Sequence, residues 1–192
     1  MESLLVSTGV VALAEIGDKT QLLALLLCAR FRAPLPILAG ILIATVANHA
    51  LAALLGTAVG DWLQSEALQW GLGAGFVLMG LWTLKPDRLD GDSAGPADRY
   101  GAFLTTLVAF FLVEIGDKTQ VATMALAARF QDIAMVTVGT TLGMMAANAP
   151  VVALGGFAAD RLPLRTIRLA AAALFGALGA LVCLEAAGVA LF

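Results

Sequence analysis

The sequence predicts an all-α integral membrane protein of six transmembrane helices, arranged as two inverted-topology three-helix repeats. Three observations carry this reading. Of 192 residues, 60% are hydrophobic and 13% charged, where a soluble domain carries about 25% charged residues; the mean hydropathy is +0.93. Six stretches supply the roughly 20 mostly apolar residues that a spanning helix needs: Leu4–Ala29, Leu35–Val59, Ala67–Leu84, Ala102–Ala128, Ile133–Ala158 and Ile167–Leu191. Seven consecutive residues, Glu15-Ile16-Gly17-Asp18-Lys19-Thr20-Gln21, recur 99 positions later as Glu114-Ile115-Gly116-Asp117-Lys118-Thr119-Gln120.

The repeat runs beyond the heptad. Leu27, Ala29, Arg30 and Phe31 match Leu126, Ala128, Arg129 and Phe130. In the second and fifth spans, Gly40 and Asn48 correspond, with one residue of slippage, to Gly139 and Asn148, and Asp61-Trp62-Leu63 echoes Asp160-Arg161-Leu162. One membrane domain therefore divides into a first unit (1–84), a polar linker (85–100) and a second unit (101–192). Three spans per unit is an odd number, so the second unit enters the membrane from the opposite face. Secondary transporters commonly use such inverted repeats, with the site near the midplane where the repeats meet.

Charge placement orients the chain. With the N-terminus on one side, the other side holds Arg30, Arg32, Lys85, Arg88, Arg99, Arg161, Arg165 and Arg168, against Arg129 alone on the first. Lysine and arginine accumulate in the cytoplasm. The 85–100 linker is thus expected in the cytoplasm and both termini outside, with Arg129 as the inverted counterpart of Arg30.

The spans leave no soluble domain for catalysis or nucleic-acid binding; the expected surroundings are the lipid bilayer, and neither monomer nor homodimer is preferred. Met1-Glu2-Ser3 lacks the basic start of a secretory signal, so the first span is expected to be retained. Cys28 and Cys183 have no metal-ligand spacing and read as two buried thiols. Asp90-Gly91-Asp92 in the linker lacks the ligand spacing of a calcium loop. Trp62, Trp70, Trp82 and Tyr100 fall at span ends and read as interfacial anchors, and the glycines of the third and sixth spans (Gly71, Gly73, Gly75, Gly80, Gly176, Gly179) suit close helix packing.

The heptads carry the chemistry. On a helix Glu15 and Asp18 share one face, Gln21 continues it, and Lys19 lies four residues from Glu15 in the orientation of an ion pair. Gly17 removes a side chain beside the carboxylates and lets the helix open and present carbonyls. Glu114, Gly116, Asp117, Lys118 and Gln120 repeat the set. An ionised Asp at a helix centre costs roughly 2.5–3.5 kcal/mol on insertion scales, so four such carboxylates demand compensation. Two lysines neutralise two charges. The remaining two match one divalent cation, or two protons once the cation leaves, because close carboxylates titrate as a coupled set. Oxygen ligands suit Mg, Ca and Mn rather than Zn or Cu. Thr20, Thr119, Gln21, Gln120, Asn48 and Asn148 are candidate supporting oxygens, while Met124, Met144 and Met145 read as packing. His49 has Ala149 at its counterpart position, and it and Glu185 read as incidental to the site. The competing reading, in which Glu15–Lys19 pairs merely lock helices together, leaves the recurrence of Asp18, Thr20 and Gln21 unexplained.

E-x-G-D-K/R-T/S, present twice in a six-span chain of this length, resembles the family catalogued as uncharacterised protein family 0016: cation/proton exchangers of Golgi and chloroplast membranes, together with bacterial manganese exporters. The resemblance covers essentially the whole chain. It implies transport of Mn²⁺ or Ca²⁺ with the acidic residues essential, here Glu15, Asp18, Glu114 and Asp117 as metal ligands, with Lys19, Thr20, Lys118 and Thr119 completing each copy. The short chain without a transit peptide looks like a bacterial member in the inner (plasma) membrane. The expectation is export of Mn²⁺ from the cytoplasm in exchange for H⁺, by rocking of the two units, with no prosthetic group and no enzymatic activity. The alternative is a Ca²⁺/H⁺ exchanger with Mn²⁺ as secondary substrate.

Overall fold

A computed structural model describes residues 1–62, 66–85, 101–154 and 164–188. They form eight α-helices and no strand: α1 Glu2–Glu15, α2 Lys19–Phe31, α3 Pro34–Trp62, α4 Glu66–Thr83, α5 Gly101–Glu114, α6 Lys118–Phe130, α7 Ile133–Leu154 and α8 Leu164–Ala186. Linker residues 86–100, with Asp90-Gly91-Asp92 and Tyr100, and the Asp160-Arg161-Leu162 echo lie outside the described residues, as do the side chains of Asp61, Trp62, Arg168 and Glu185.

There are eight helices because the first and fourth expected spans are each cut at the heptad. Residues 16–18 separate α1 from α2, and residues 115–117 separate α5 from α6. The cause is local. Gly17 and Gly116 sit at φ 81° and 75°, a region that glycine enters without steric penalty. Asp18 and Asp117 follow in extended backbone at the N-cap positions of the next helices, and the Asp117 side chain accepts from the Thr119 N–H. Each half has 13 or 14 residues and is about 20 Å long. One half falls short of the roughly 30 Å hydrocarbon layer; two end to end exceed it. Pro34–Gly60 and Ile133–Leu154 are long and apolar enough to cross a membrane unaided.

Close backbone approaches fix the packing. A Cβ on Gly139 would meet the Leu4 carbonyl and Ser7, and one on Gly143 the Thr8 carbonyl and Val11. Past the break, Cys28 Sγ reaches the Val152 carbonyl at 3.9 Å. So α7 runs parallel to α1 and α2 in succession. In the same way α3 follows α5 and α6: Gly40 lies against Phe103 and Thr106, Gly56 against the Met124 backbone, and Gly60 against Ala128. Each interrupted helix thus packs on the long helix of the other unit. Helices α4 and α8 run antiparallel, with Gly73 against Gly179 and Gly80 against Ala172. Phe76 stacks on Phe175 between them, ring centroids 6.4 Å apart. Many of these contacts have a counterpart 99 positions away: Leu4/Phe103, Ser7/Thr106, Gly40/Gly139, and Phe76 with Phe175 itself.

The polarity is the reverse of a soluble bundle. On α3, Thr45, Asn48 and His49 are buried, while Leu42, Ile43, Val46, Leu51, Leu54 and Leu55 are exposed. Trp70 and Trp82 are also exposed, as anchors would be, and Cys28 and Cys183 are free thiols, half-buried rather than buried as expected. Two apolar clusters flank the breaks. One joins Val10, Ala14, Ala53, Leu126 and Val136 with Phe76, Met79, Phe175 and Val182 of α4 and α8. The other joins Leu23, Leu27, Ile37, Ile41, Phe110 and Val151, with no buried member from α4 or α8 among the described residues.

Candidate cation site

The interruptions at 16–18 and 115–117 lie against each other, linked by two ion pairs that cross between them. Lys19 Nζ lies 2.8 Å from Asp117 Oδ1, and Lys118 Nζ lies 2.6 Å from Asp18 Oδ1. This corrects the expected Glu15–Lys19 pair. An i, i+4 contact needs a continuous helix, and the turn at Gly17 turns Lys19 away from Glu15 toward the opposite break.

The two glutamates end α1 and α5, and both are fully buried. Thr20 Oγ1 donates to Glu15 Oε2 at 2.5 Å, and Thr119 Oγ1 donates to Glu114 Oε2 at 3.1 Å. The other oxygen of each, Glu15 Oε1 and Glu114 Oε1, is buried without a hydrogen-bond partner. One oxygen each from Glu15, Glu114 and Asp117 lie within 4.8 Å of one another, close enough to share one ion. Asp18 stands beside them on Lys118. An unpaired buried acceptor is costly, so an oxygen-only cluster of this kind fits a hard divalent cation.

Helix ends add to the field. The N-termini of α2 and α6 bring partial positive charge to Asp18 and Asp117, and the C-termini of α1 and α5 present carbonyls. The break geometry is held from within. Gly17 N–H donates to Gln21 Oε1 at 2.8 Å, and Gly116 N–H donates to Gln120 Oε1 at 2.7 Å. Each glutamine oxygen, expected as a supporting oxygen, accepts one backbone hydrogen bond here, and Gln21 Nε2 also donates to the Ala147 carbonyl at 2.8 Å. Gln21 and Gln120 brace the turns.

The two asparagines differ. Asn48 Nδ2 donates across to the Phe111 carbonyl at 3.0 Å. Asn148 turns back on its own helix, donating to the Met144 carbonyl at 3.1 Å and lying 3.0 Å from Met144 Sδ; its Oδ1 is buried without a partner. The one-residue slippage between these positions accounts for the difference, and the Met144 sulfur is engaged with an amide. His49 is buried with neither ring nitrogen hydrogen-bonded. Ser7 of α1 is also buried with a hydroxyl that has no partner, about 12 Å along the helix from Glu15 and therefore outside the carboxylate cluster.

The sequence profile of the divalent cation/proton antiporter GDT1 family matches this chain twice, over residues 3–91 and 102–190. A protein of Vibrio cholerae serotype O1 (strain ATCC 39541 / Classical Ogawa 395 / O395), described as "Putative manganese exporter", is 52% identical over 176 residues, which is 91% of this chain and 87% of that protein. No solved structure matches. The family match indicates a transporter rather than an enzyme. The chain belongs to the divalent cation/proton antiporter GDT1 family.

Proposed function

We propose that this protein exports Mn²⁺ from the cytoplasm in exchange for protons, through one site formed by Glu15, Asp18, Glu114 and Asp117. The observation that carries the reading is the crossed pairing. Lys118 and Lys19 neutralise Asp18 and Asp117, which leaves Glu15 and Glu114, each with an unpartnered buried oxygen. Two uncompensated carboxylates take up one divalent cation or two protons, and exchange follows because both compete for the same oxygens. Thr20 and Thr119 hold the glutamates, Gln21, Gln120, Gly17 and Gly116 hold the turns, and the lysines return to the aspartates when the ion departs. Asn148 Oδ1 is a further candidate oxygen; Asn48 supports α5.

The manganese assignment leans on the relative, since an all-oxygen site also suits Ca²⁺; competition between the two ions in a flux assay separates them. The parallel courses of α7 with α1–α2 and of α3 with α5–α6, the antiparallel α4 and α8, and the two profile matches support six crossings in two inverted units. In this arrangement 1–84 and 101–192 form the units of an inner-membrane protein, the 85–100 linker is cytoplasmic and both termini lie outside. All four carboxylates come from one chain, so a homodimer would add no ligand.

The test is Mn²⁺ flux in proteoliposomes under an imposed pH gradient, wild type against Glu15→Gln/Glu114→Gln. Gradient-driven flux that the double variant loses supports the reading. Wild-type protein that is folded and inserted yet moves neither Mn²⁺ nor Ca²⁺ sinks it.

A further inference from the structure

The two units are equivalent in sequence but not in how α4 and α8 are seated. Helix α8 packs on α1, and α4 packs on α6. The counterpart contacts, α4 on α5 and α8 on α2, have no comparable packing among the described residues. The buried side chains agree: Phe76, Met79, Phe175 and Val182 join the apolar cluster beside α1 and α6, and among the described residues the cluster beside α2 and α5 has no member from either helix. The site shares the asymmetry. The Lys19 side chain, on the α2 side, is 21% exposed, and that of Lys118, on the α6 side, is 3% exposed.

Helices α4 and α8 hold chiefly to each other, through the Gly73–Gly179 and Gly80–Ala172 approaches and the Phe76–Phe175 stack. Their seat on the remainder is imperfect. A cavity of about 110 Å³ lies between α1, α4, α6 and α8, with Val6, Phe76, Leu126 and Val182 in its wall. The other six helices interlock instead, because α1 and α2 lie on α7 while α5 and α6 lie on α3. Rocking one three-helix unit against the other would shear those glycine-mediated backbone contacts.

We propose that α4 and α8 move together as one arm over an interlocked core of α1–α3 and α5–α7. Here the arm closes the α1/α6 half; in the second state it closes the α2/α5 half, forming the contacts α4–α5 and α8–α2. This rests on the transport reading above and replaces unit rocking as the source of alternating access. The partners in the second state follow from the 99-residue offset. Val6 and Val182, which line the present cavity, become Thr105 and Thr83.

The experiment uses full-length protein in proteoliposomes with Cys28→Ala and Cys183→Ala. Two double variants, Val6→Cys/Val182→Cys and Thr83→Cys/Thr105→Cys, are treated with a short cleavable thiol crosslinker. Bridging is read by mass spectrometry and Mn²⁺ flux before bridging, after it and after cleavage. The expected result is that both variants bridge, each bridge abolishes flux, and cleavage restores it. The arm is overturned if Val6→Cys/Val182→Cys bridges while Thr83→Cys/Thr105→Cys does not, or if either bridged protein transports at its unbridged rate. Bridging is scored independently of flux, so two bridges in a protein that moves neither Mn²⁺ nor Ca²⁺ before bridging overturn the transport reading and leave the arm's movement standing.

Discussion

Lys118 and Asp18 are 2.6 Å apart although a hundred residues of chain separate them, and the same pair recurs with the repeats exchanged: Asp117, which precedes Lys118, pairs with Lys19, which follows Asp18. The two interruptions are therefore cross-braced, and each depends on the other for its charge balance. Removing one member of a buried pair strands the other, at about 3–5 kcal/mol. Lys118→Met is expected to lower the thermal midpoint of detergent-solubilised protein well below that of Lys19→Met, whose side chain is the more exposed. Adding Asp18→Asn to Lys118→Met should recover most of the loss. A double variant as unstable as the single one would show that the pair carries no such coupling.

The glutamates behave differently, since each already has an oxygen without a partner. Glu15→Gln and Glu114→Gln should leave the melting temperature unchanged or raise it. Both should lose stabilisation by Mn²⁺, which amounts to about 2.7 kcal/mol at a hundredfold excess over the dissociation constant. A thermal-shift titration with Mn²⁺ reads this directly, and an undiminished shift in the double variant would place the ion elsewhere.

Gly116 separates backbone strain from crowding. A Cβ there meets nothing within 4 Å, yet φ is 75°, so the penalty is conformational. Gly116→Ala should cost about 1–2 kcal/mol. Gly116→Asn should cost less, because asparagine tolerates the left-handed region. Equal melting temperatures for the two variants would contradict this account.

Gly56 is the converse case. Its added Cβ would run into the Met124 backbone, and overpacking of this kind costs about 1–3 kcal/mol. Gly56→Ala should destabilise the protein by separating α3 from α6, whereas Gly71→Ala, which meets nothing within 4 Å, should be tolerated. Paired unfolding measurements in detergent decide it.

Thr20 tests the hold on the glutamate. Thr20→Val removes the 2.5 Å bond to Glu15 Oε2 and keeps the shape. It should slow Mn²⁺ flux by about 10- to 100-fold, the loss of roughly 1.5–3 kcal/mol expected for a hydrogen bond to a charged group. Thr20→Ser should retain most of the flux; a serine variant as slow as valine would assign the effect to packing.

The duplication, the buried carboxylates and the long apolar helices could all be read from residue order. The interruptions could not be settled that way. A glycine inside an apolar run lowers helix stability by about 1 kcal/mol, and whether the chain then breaks depends on what waits across the gap, here Lys118 for Asp18 and Lys19 for Asp117. The lysine partners were ambiguous for the same reason, since local spacing offers Glu15 to Lys19 whenever the helix is taken as continuous. Asn48 and Asn148 match by type, yet one slipped residue sends one amide to Phe111 and the other to Met144. The seating of α4 and α8 is a property of one conformation and leaves no trace in residue order.

The stack of Phe76 on Phe175 brings together two residues that occupy the same place in their respective repeats. Elsewhere a side chain can drift if a different neighbour adapts. Here the neighbour is its own duplicate, as at the centre of an isologous dimer. Lineages descending from a duplicated gene would then be held to self-complementary pairs at this spot, and a change in one copy would be followed by a matched change in the other.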